Sequence, residues 1–389
     1  MKKIFNLIAS FVLLAGFSAC NKDGSDKPGL PPAPVPTVNY KGLTFISSGN
    51  STVCLAKVGA PDEITLEYST DESQWNPYTL GEKISLADGT FLLFRAGEQK
   101  NLTFSKGSDS YYHFEISGPV TAQGNIMSLL DRDFSTPLST NAFFALFEGC
   151  TSLLSAPELP ATKMERSCYF RMFAECTGLT SAPELPAKVL ASNCYGMMFK
   201  GCSALTSAPK LPATEMKSYC YNSMFTNCTE LTSAPELPAK RLESNCYLCM
   251  FDGCTSLTSA PELPATYLVK ECYHSMFNGC TSLASAPILP ATTLDWGCYS
   301  EMFQGCTSLT SAPELPAKEL IRNCYQLMFK DCSKLRYVKA LFTTSPSEET
   351  TKDWLSGVAA SGTFVKSKNA TWNVIGVHGI PKGWKIETR

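Results

Sequence analysis

Apolar and polar positions follow two different rhythms along this chain. Between residues 40 and 120 they alternate. "ITLEYST" sets Ile64, Leu66 and Tyr68 on one face, and "YHFEIS" does the same with Tyr112, Phe114 and Ile116. "LADGTFLLF" carries Asp88-Gly89 between apolar runs, a hairpin signal. "YSTDESQW" (68–75) reads as a turn. Short alternating strands with turn chemistry between them predict a small all-β sandwich over residues 40–125. His113 falls on the polar side of its strand and is expected to be exposed.

From residue 138 the rhythm changes to a period of 26. Cys150, Cys176, Cys202, Cys228, Cys254, Cys280, Cys306 and Cys332 keep that interval without a slip, and so do Cys168, Cys194, Cys220, Cys246, Cys272, Cys298 and Cys324. "GCTSLTSAPELPA" occurs unchanged at 253–265 and 305–317. Seven 26-residue units and an N-terminal half-unit therefore fill residues 138–341. Such units bury their apolar side only against one another.

Each unit has two halves. In the second, Leu190, Cys194 and Met198 fall four apart, with Tyr195 and Phe199 as a parallel stripe; this spacing predicts an amphipathic helix of two to three turns. "CTSLTSAPELPA" holds two prolines and predicts a short strand, "SLTSA", that ends near the first of them. The expected architecture is an α/β repeat solenoid, each unit a short parallel strand plus a short helix. "LSTNAFFALFEGC" (138–150), with Ala142 in the cysteine position, is its expected first cap, and residues 342–389 form the closing region.

The unit resembles the BspA-like leucine-rich repeats of bacterial surface proteins, with Cys at the Asn/Cys position of the general pattern. Ala182 stands where a second Leu is usual and Pro183 follows it, which implies a thinner core. The resemblance implies a cell-surface binding or adhesion protein and no catalysis.

The N-terminus fits that setting. "MKK", an apolar run and "FSAC" make residues 1–20 a lipoprotein-type signal ending at Cys20, the expected lipidation site. "NKDGSD" after it resembles the export tag of Bacteroidetes-type surface lipoproteins. Residues 21–39 are a Pro-rich linker. The expected location is the outer membrane, facing outward, with the lipid as the sole anchor.

Composition narrows the chemistry. A net charge of −2 argues against nucleic acid as a partner. The three histidines, His113, His274 and His378, are far apart in sequence, so no catalytic residues, metal site or cofactor is expected. The 26-residue spacing favours two ladders of buried thiols over a disulfide framework. "CYLC" (246–249) is formally a C-x-x-C motif, but the other units offer no partner set. Glu158, Glu184, Glu236, Glu262 and Glu314 share one slot, with Lys210 and Ile288 in its remaining two places; a solvated edge is the expected role.

The residues just before "CY" vary freely, and there Tyr267 and Trp296 are large aromatic groups at otherwise polar positions in consecutive units. They are the candidate ligand contacts. The expected partner is a protein or glycan of unspecified identity, bound through the repeats. The alternative is a scaffold lipoprotein that displays a partner subunit.

Overall fold

A computed structural model describes residues 41–389. The signal segment with Cys20 and the 21–39 linker lie outside the described residues.

The alternating region forms nine strands: β1 (Leu43–Ser47), β2 (Ser51–Val58), β3 (Leu66–Ser69), β4 (Asn76–Pro77), β5 (Ile84–Leu86), β6 (Phe91–Ala96), β7 (Ser105–Gly107), β8 (Ser110–Ser117) and β9 (Val120–Gln123). One sheet has the order β9-β1-β6-β3-β4, the other β5-β2-β8-β7. They face each other through Phe45 and Phe94 on the first and Phe114 on the second, with ring centroids 5.0 and 5.6 Å from Phe114. Asp71 accepts from the Ser73 and Gln74 amides, so "YSTDESQW" is a turn. Asp88-Gly89 turns as the sequence predicts, yet makes no hairpin: β5 pairs with β2 and β6 with β1 and β3. The turn is a corner between the two sheets, tied by the Gly89 amide to the Ser47 carbonyl.

The first sheet does not stop at β9. Strand β10 (Leu153–Ser155), in the first repeat unit, adds to it in parallel. From there each unit lies on the previous one in 26-residue register. Phe147, Phe173, Phe199, Phe225, Phe251, Phe277, Phe303 and Phe329 form one column of stacked rings, and the tyrosines from Tyr169 to Tyr325 form another. The Phe column begins inside the sandwich, where Phe147 stacks on Phe114 at 5.2 Å.

The predicted helix is absent: residues 138–341 contain none. In its place runs a series of overlapping four-residue turns. In the second unit the amides of Cys194, Gly196, Met198, Lys200 and Cys202 each donate to the carbonyl three residues back. The amides between them, of Asn193, Tyr195, Met197, Phe199 and Gly201, donate to the next unit at Ser218, Cys220, Asn222, Met224 and Thr226. This alternation needs a left-handed residue at every fourth position, here Asn193, Met197 and Gly201. A period of four turns the chain about 90° per residue, close to the helix's 100°, and over the nine residues from Leu190 to Met198 the two place nearly the same side chains inward. The burial pattern is helix-like, but the hydrogen bonds run between units.

The predicted "SLTSA" strand is likewise reduced in most units. Single parallel bridges join Ser155 to Ser181, Ser233 to Ser259 and Ser259 to Ser285. The proline two residues after each of these serines lacks the N–H that would extend pairing. Threonine helps: Thr232 and Thr258 donate their hydroxyls to the carbonyl of the equivalent residue one unit earlier.

The C-terminal end regains regular pairing. Strands β11 (Tyr337–Ala340), β12 (Thr363–Lys366) and β13 (Lys385–Thr388) pair in parallel. The single turn α1 (Glu348–Thr351) leads to Trp354, fully buried against Tyr325. The indoles of Trp354, Trp372 and Trp384 donate to the carbonyls of Gly379, Phe342 and Ala359.

Candidate functional site

The thiols are the first chemistry to place, and they face inward. In the series Cys176 to Cys332 each Sγ donates to a phenylalanine carbonyl of the previous unit, as in Cys202 to Phe173 at 3.1 Å. Every cysteine among the described residues is a free thiol. Burial pushes Cys220, Cys254 and Cys272 up to about 12 and holds Cys202 and Cys228 well above the ordinary range. A thiol held protonated is a poor nucleophile or metal ligand at neutral pH. Of the "CYLC" pair, Cys246 is core. Cys249 is half-buried and pushed up to about 12, by burial first and then by Asp252.

Around Cys249 the stack gathers polar groups that single-unit motif reading does not anticipate. Asn245 donates to Glu271 at 2.7 Å, and Ser275 donates to Glu301 at 3.2 Å. Burial, then Glu301, raises Asp252. His274 Nδ1 is buried there without a hydrogen-bond partner. These residues come from three different units, and only the 26-residue register, applied to side chains at non-core positions, would have brought them together on paper. No three His, Cys, Asp or Glu side chains among the described residues assemble as a metal-binding group.

The one histidine expected to be exposed, His113, is half-buried beside Tyr111, 5.7 Å between rings, and burial lowers its pKa. Its strand does alternate as predicted; the neighbouring Tyr111 and the half-unit packed on it supply the cover, since Tyr111 also meets Phe144.

The two candidate aromatics are placed differently from one another. Tyr267 is 62% exposed, and its backbone bridges to Thr293. Trp296 is half-buried, with the Lys270 ammonium 4.6 Å above its ring. Trp296 stands in register with Lys270, one unit on, and not with Tyr267. No ring contact joins the pair.

The third feature is a row of hollows along the "APELPA" segments. One of about 340 Å³ lies between Pro157 and Pro183, one of about 580 Å³ between Pro235 and Pro261, and one of about 440 Å³ between Pro261 and Pro287. The leucine of each segment points into the core, while the slot before it, Glu158, Glu184, Lys210, Glu236, Glu262, Ile288 and Glu314, faces out. Glu314 pairs with Lys339 at 2.7 Å; the other carboxylates of the row make no ion pair among the described residues. The arrangement offers repeated shallow surfaces with charge at the rim and no nucleophile beside a base.

A family model described as a BspA type leucine rich repeat region matches residues 223–347 in six copies. No curated protein and no solved structure matches the chain.

Proposed function

Residues 223–347 are BspA-type leucine-rich repeats, and from that premise we propose that the chain is a cell-surface interaction protein. Its stacked units act as a solenoid that binds a macromolecular ligand, protein or glycan, without turnover. The observation that carries this reading is the row of open hollows repeated along the stack, set against two ladders of thiols turned inward. A regular stack with no deep pocket suits an extended contact better than a reaction. Lipidation at Cys20 and the 21–39 linker would hold the units outside the outer membrane.

The test is a screen of the purified chain against immobilised matrix proteins and glycans. Specific, salt-sensitive binding to at least one class is the expected result; no binding to either removes the proposal. Replacing Tyr267 and Trp296 together by Ala should weaken such a complex by about 1–3 kcal/mol, the scale of interface anchors. The greater share should fall on Tyr267, since Lys270 already covers one face of Trp296. The location has its own check: a Cys20→Ala chain should leave the membrane fraction.

A further inference from the structure

We propose that the row through Glu236, Glu262 and Ile288 docks an extended cationic polypeptide segment, read as basic-x-basic-x-apolar. The inference rests on the interaction-module reading above and adds the class of partner and its register.

Three observations converge on this stretch. The first is main-chain pairing. At both ends of the stack the "ELP" segments are tied to their neighbours: the Glu158 amide donates to Gly124, and the Leu315 amide donates to Lys339. In the units between, Leu237, Leu263 and Leu289 are almost wholly buried, yet neither their amides nor their carbonyls take part in a main-chain hydrogen bond. Buried peptide groups are nearly always paired. Here that pairing is missing between successive "ELP" segments, and the hollows open where it is missing.

The second observation is charge. Glu236 and Glu262 are exposed, consecutive in the row, and without an ion pair among the described residues, while Lys339 already neutralises Glu314. One cation, Lys240, borders the hollow between Pro235 and Pro261; the hollow between Pro261 and Pro287 has no cation in its lining. The third observation is Ile288. In a slot otherwise held by charge, it is 83% exposed and lines the next hollow together with Pro287 and Pro290. A large apolar side chain left in water at the mouth of a proline-lined hollow gains by being covered.

Spacing selects the occupant. Adjacent units step 5.6 Å at Phe225, Phe251 and Phe277, and 5.8 Å from Tyr247 to Tyr273. A fully extended chain advances ~3.2–3.4 Å per residue and presents every second side chain to one face, so roughly two residues span one unit. Alternate side chains then meet Glu236, Glu262 and Ile288 in turn, and the peptide groups between them lie over the hollows. The carboxylates repel a nucleic-acid backbone or an anionic membrane, and two consecutive unpaired negative charges favour a cationic occupant.

The experiment uses the whole purified chain and fluorescence anisotropy with a labelled seven-residue peptide bearing Arg at positions 2 and 4 and Leu at position 6. A permuted peptide (Arg at 4 and 6, Leu at 2) and a version with Glu in place of Arg are the controls. The labelled peptide should bind. The affinity should fall at least tenfold for the Glu236→Lys/Glu262→Lys variant and several-fold for Ile288→Glu. Glu184→Lys, in the same row two units from Glu236, should leave it unchanged. All four positions are exposed, and unchanged thermal melts establish that the variants fold. Failure of the parent chain to bind, equal binding of the permuted peptide, or indifference to Glu236→Lys/Glu262→Lys overturns the inference. If the same preparation binds a glycan or matrix protein on the array while refusing the peptide, the interaction reading stands and the cationic track alone falls.

Discussion

The sandwich and the repeat stack satisfy the same backbone demand in opposite ways. In β1 to β9 the amides pair along ladders between strands, and side chains alternate between core and surface. In the turn half of each repeat every second amide closes a turn within its own unit and every other amide reaches the next unit. The sandwich is thus held by two sheets around one aromatic cluster. The stack is held unit by unit, through columns of identical rings and thiols. The same atoms build both, but the stack carries far more ionisable groups in its interior and far more left-handed residues in its backbone.

The largest expected consequence appears at high pH. Thiols pushed from 9.0 to about 12 stay protonated in the folded chain. Their stabilising effect is complete below the unfolded value near 9 and is lost as pH rises from there toward 12. Each such thiol removes about 1.4 kcal/mol per pH unit above 9, so three of them remove roughly 4 kcal/mol by pH 10. The buried tyrosines, held well above their ordinary range, add to the loss higher up. In the sandwich, burial raises Cys54 alone among thiols, with Tyr78, Tyr111 and Tyr112 among the phenols. Hydrogen exchange read by region from pH 7 to 10.5 should show the repeats losing protection before residues 43–123. Equal loss in both regions would erase this half of the contrast.

The second effect is local by design of the stack. Phe251→Ala in mid-column should destabilise by about 3–5 kcal/mol in urea melts, the range for a buried aromatic truncation. Because each unit rests mainly on its neighbours, protection should vanish first around residues 225–277 and persist in β1 to β9. A uniform loss across the chain would mean that the two regions unfold as one.

How far the sequence foretold this division depends on which interaction sets the pattern. Burial was legible: Tyr112, Phe114, Leu190, Cys194, Met198, Tyr195 and Phe199 are inward as their spacing predicts. Main-chain pairing was not. A period of four is separable from 3.6 only over longer runs than nine residues, and each unit ends before the two diverge. The missed clue was the recurrence of Asn and Gly at Asn193, Gly201, Asn227, Asn245, Gly253 and Gly279, residues that tolerate a positive φ. It was masked by the middle slot, where Arg171, Met197, Cys249 and Leu327 adopt the same conformation with ordinary side chains. The hollows were hidden for a related reason: prolines signal where a strand stops, but whether the freed space opens outward depends on how the next unit lies.

The left-handed slots supply the third prediction. Gly279 has φ +69° and its added Cβ would meet only ordinary contacts, with the Gly253 Cα and N at 3.7 Å. Gly279→Val therefore tests backbone strain apart from crowding, and should cost about 1–2 kcal/mol in a denaturant melt. A neutral result would mean the position is free to leave the left-handed region.

The smallest effect is the most discriminating, because the turn series and a helix predict opposite signs. Glu175 occupies the slot that is Gly in several other units and sits at φ 60°, with its side chain exposed and its amide donating to the Lys200 carbonyl. In Glu175→Gly the left-handed penalty of about 1 kcal/mol disappears. The greater freedom of glycine in the unfolded chain takes back about 0.5–1 kcal/mol. The net should lie between zero and about 0.5 kcal/mol of stabilisation, read as an unchanged or slightly raised urea midpoint at constant slope. In a helix the same substitution would lower stability by up to about 1 kcal/mol. A drop of that size would restore the helix that the apolar spacing predicts and take away the unit-to-unit hydrogen bonds on which the contrast with the sandwich rests.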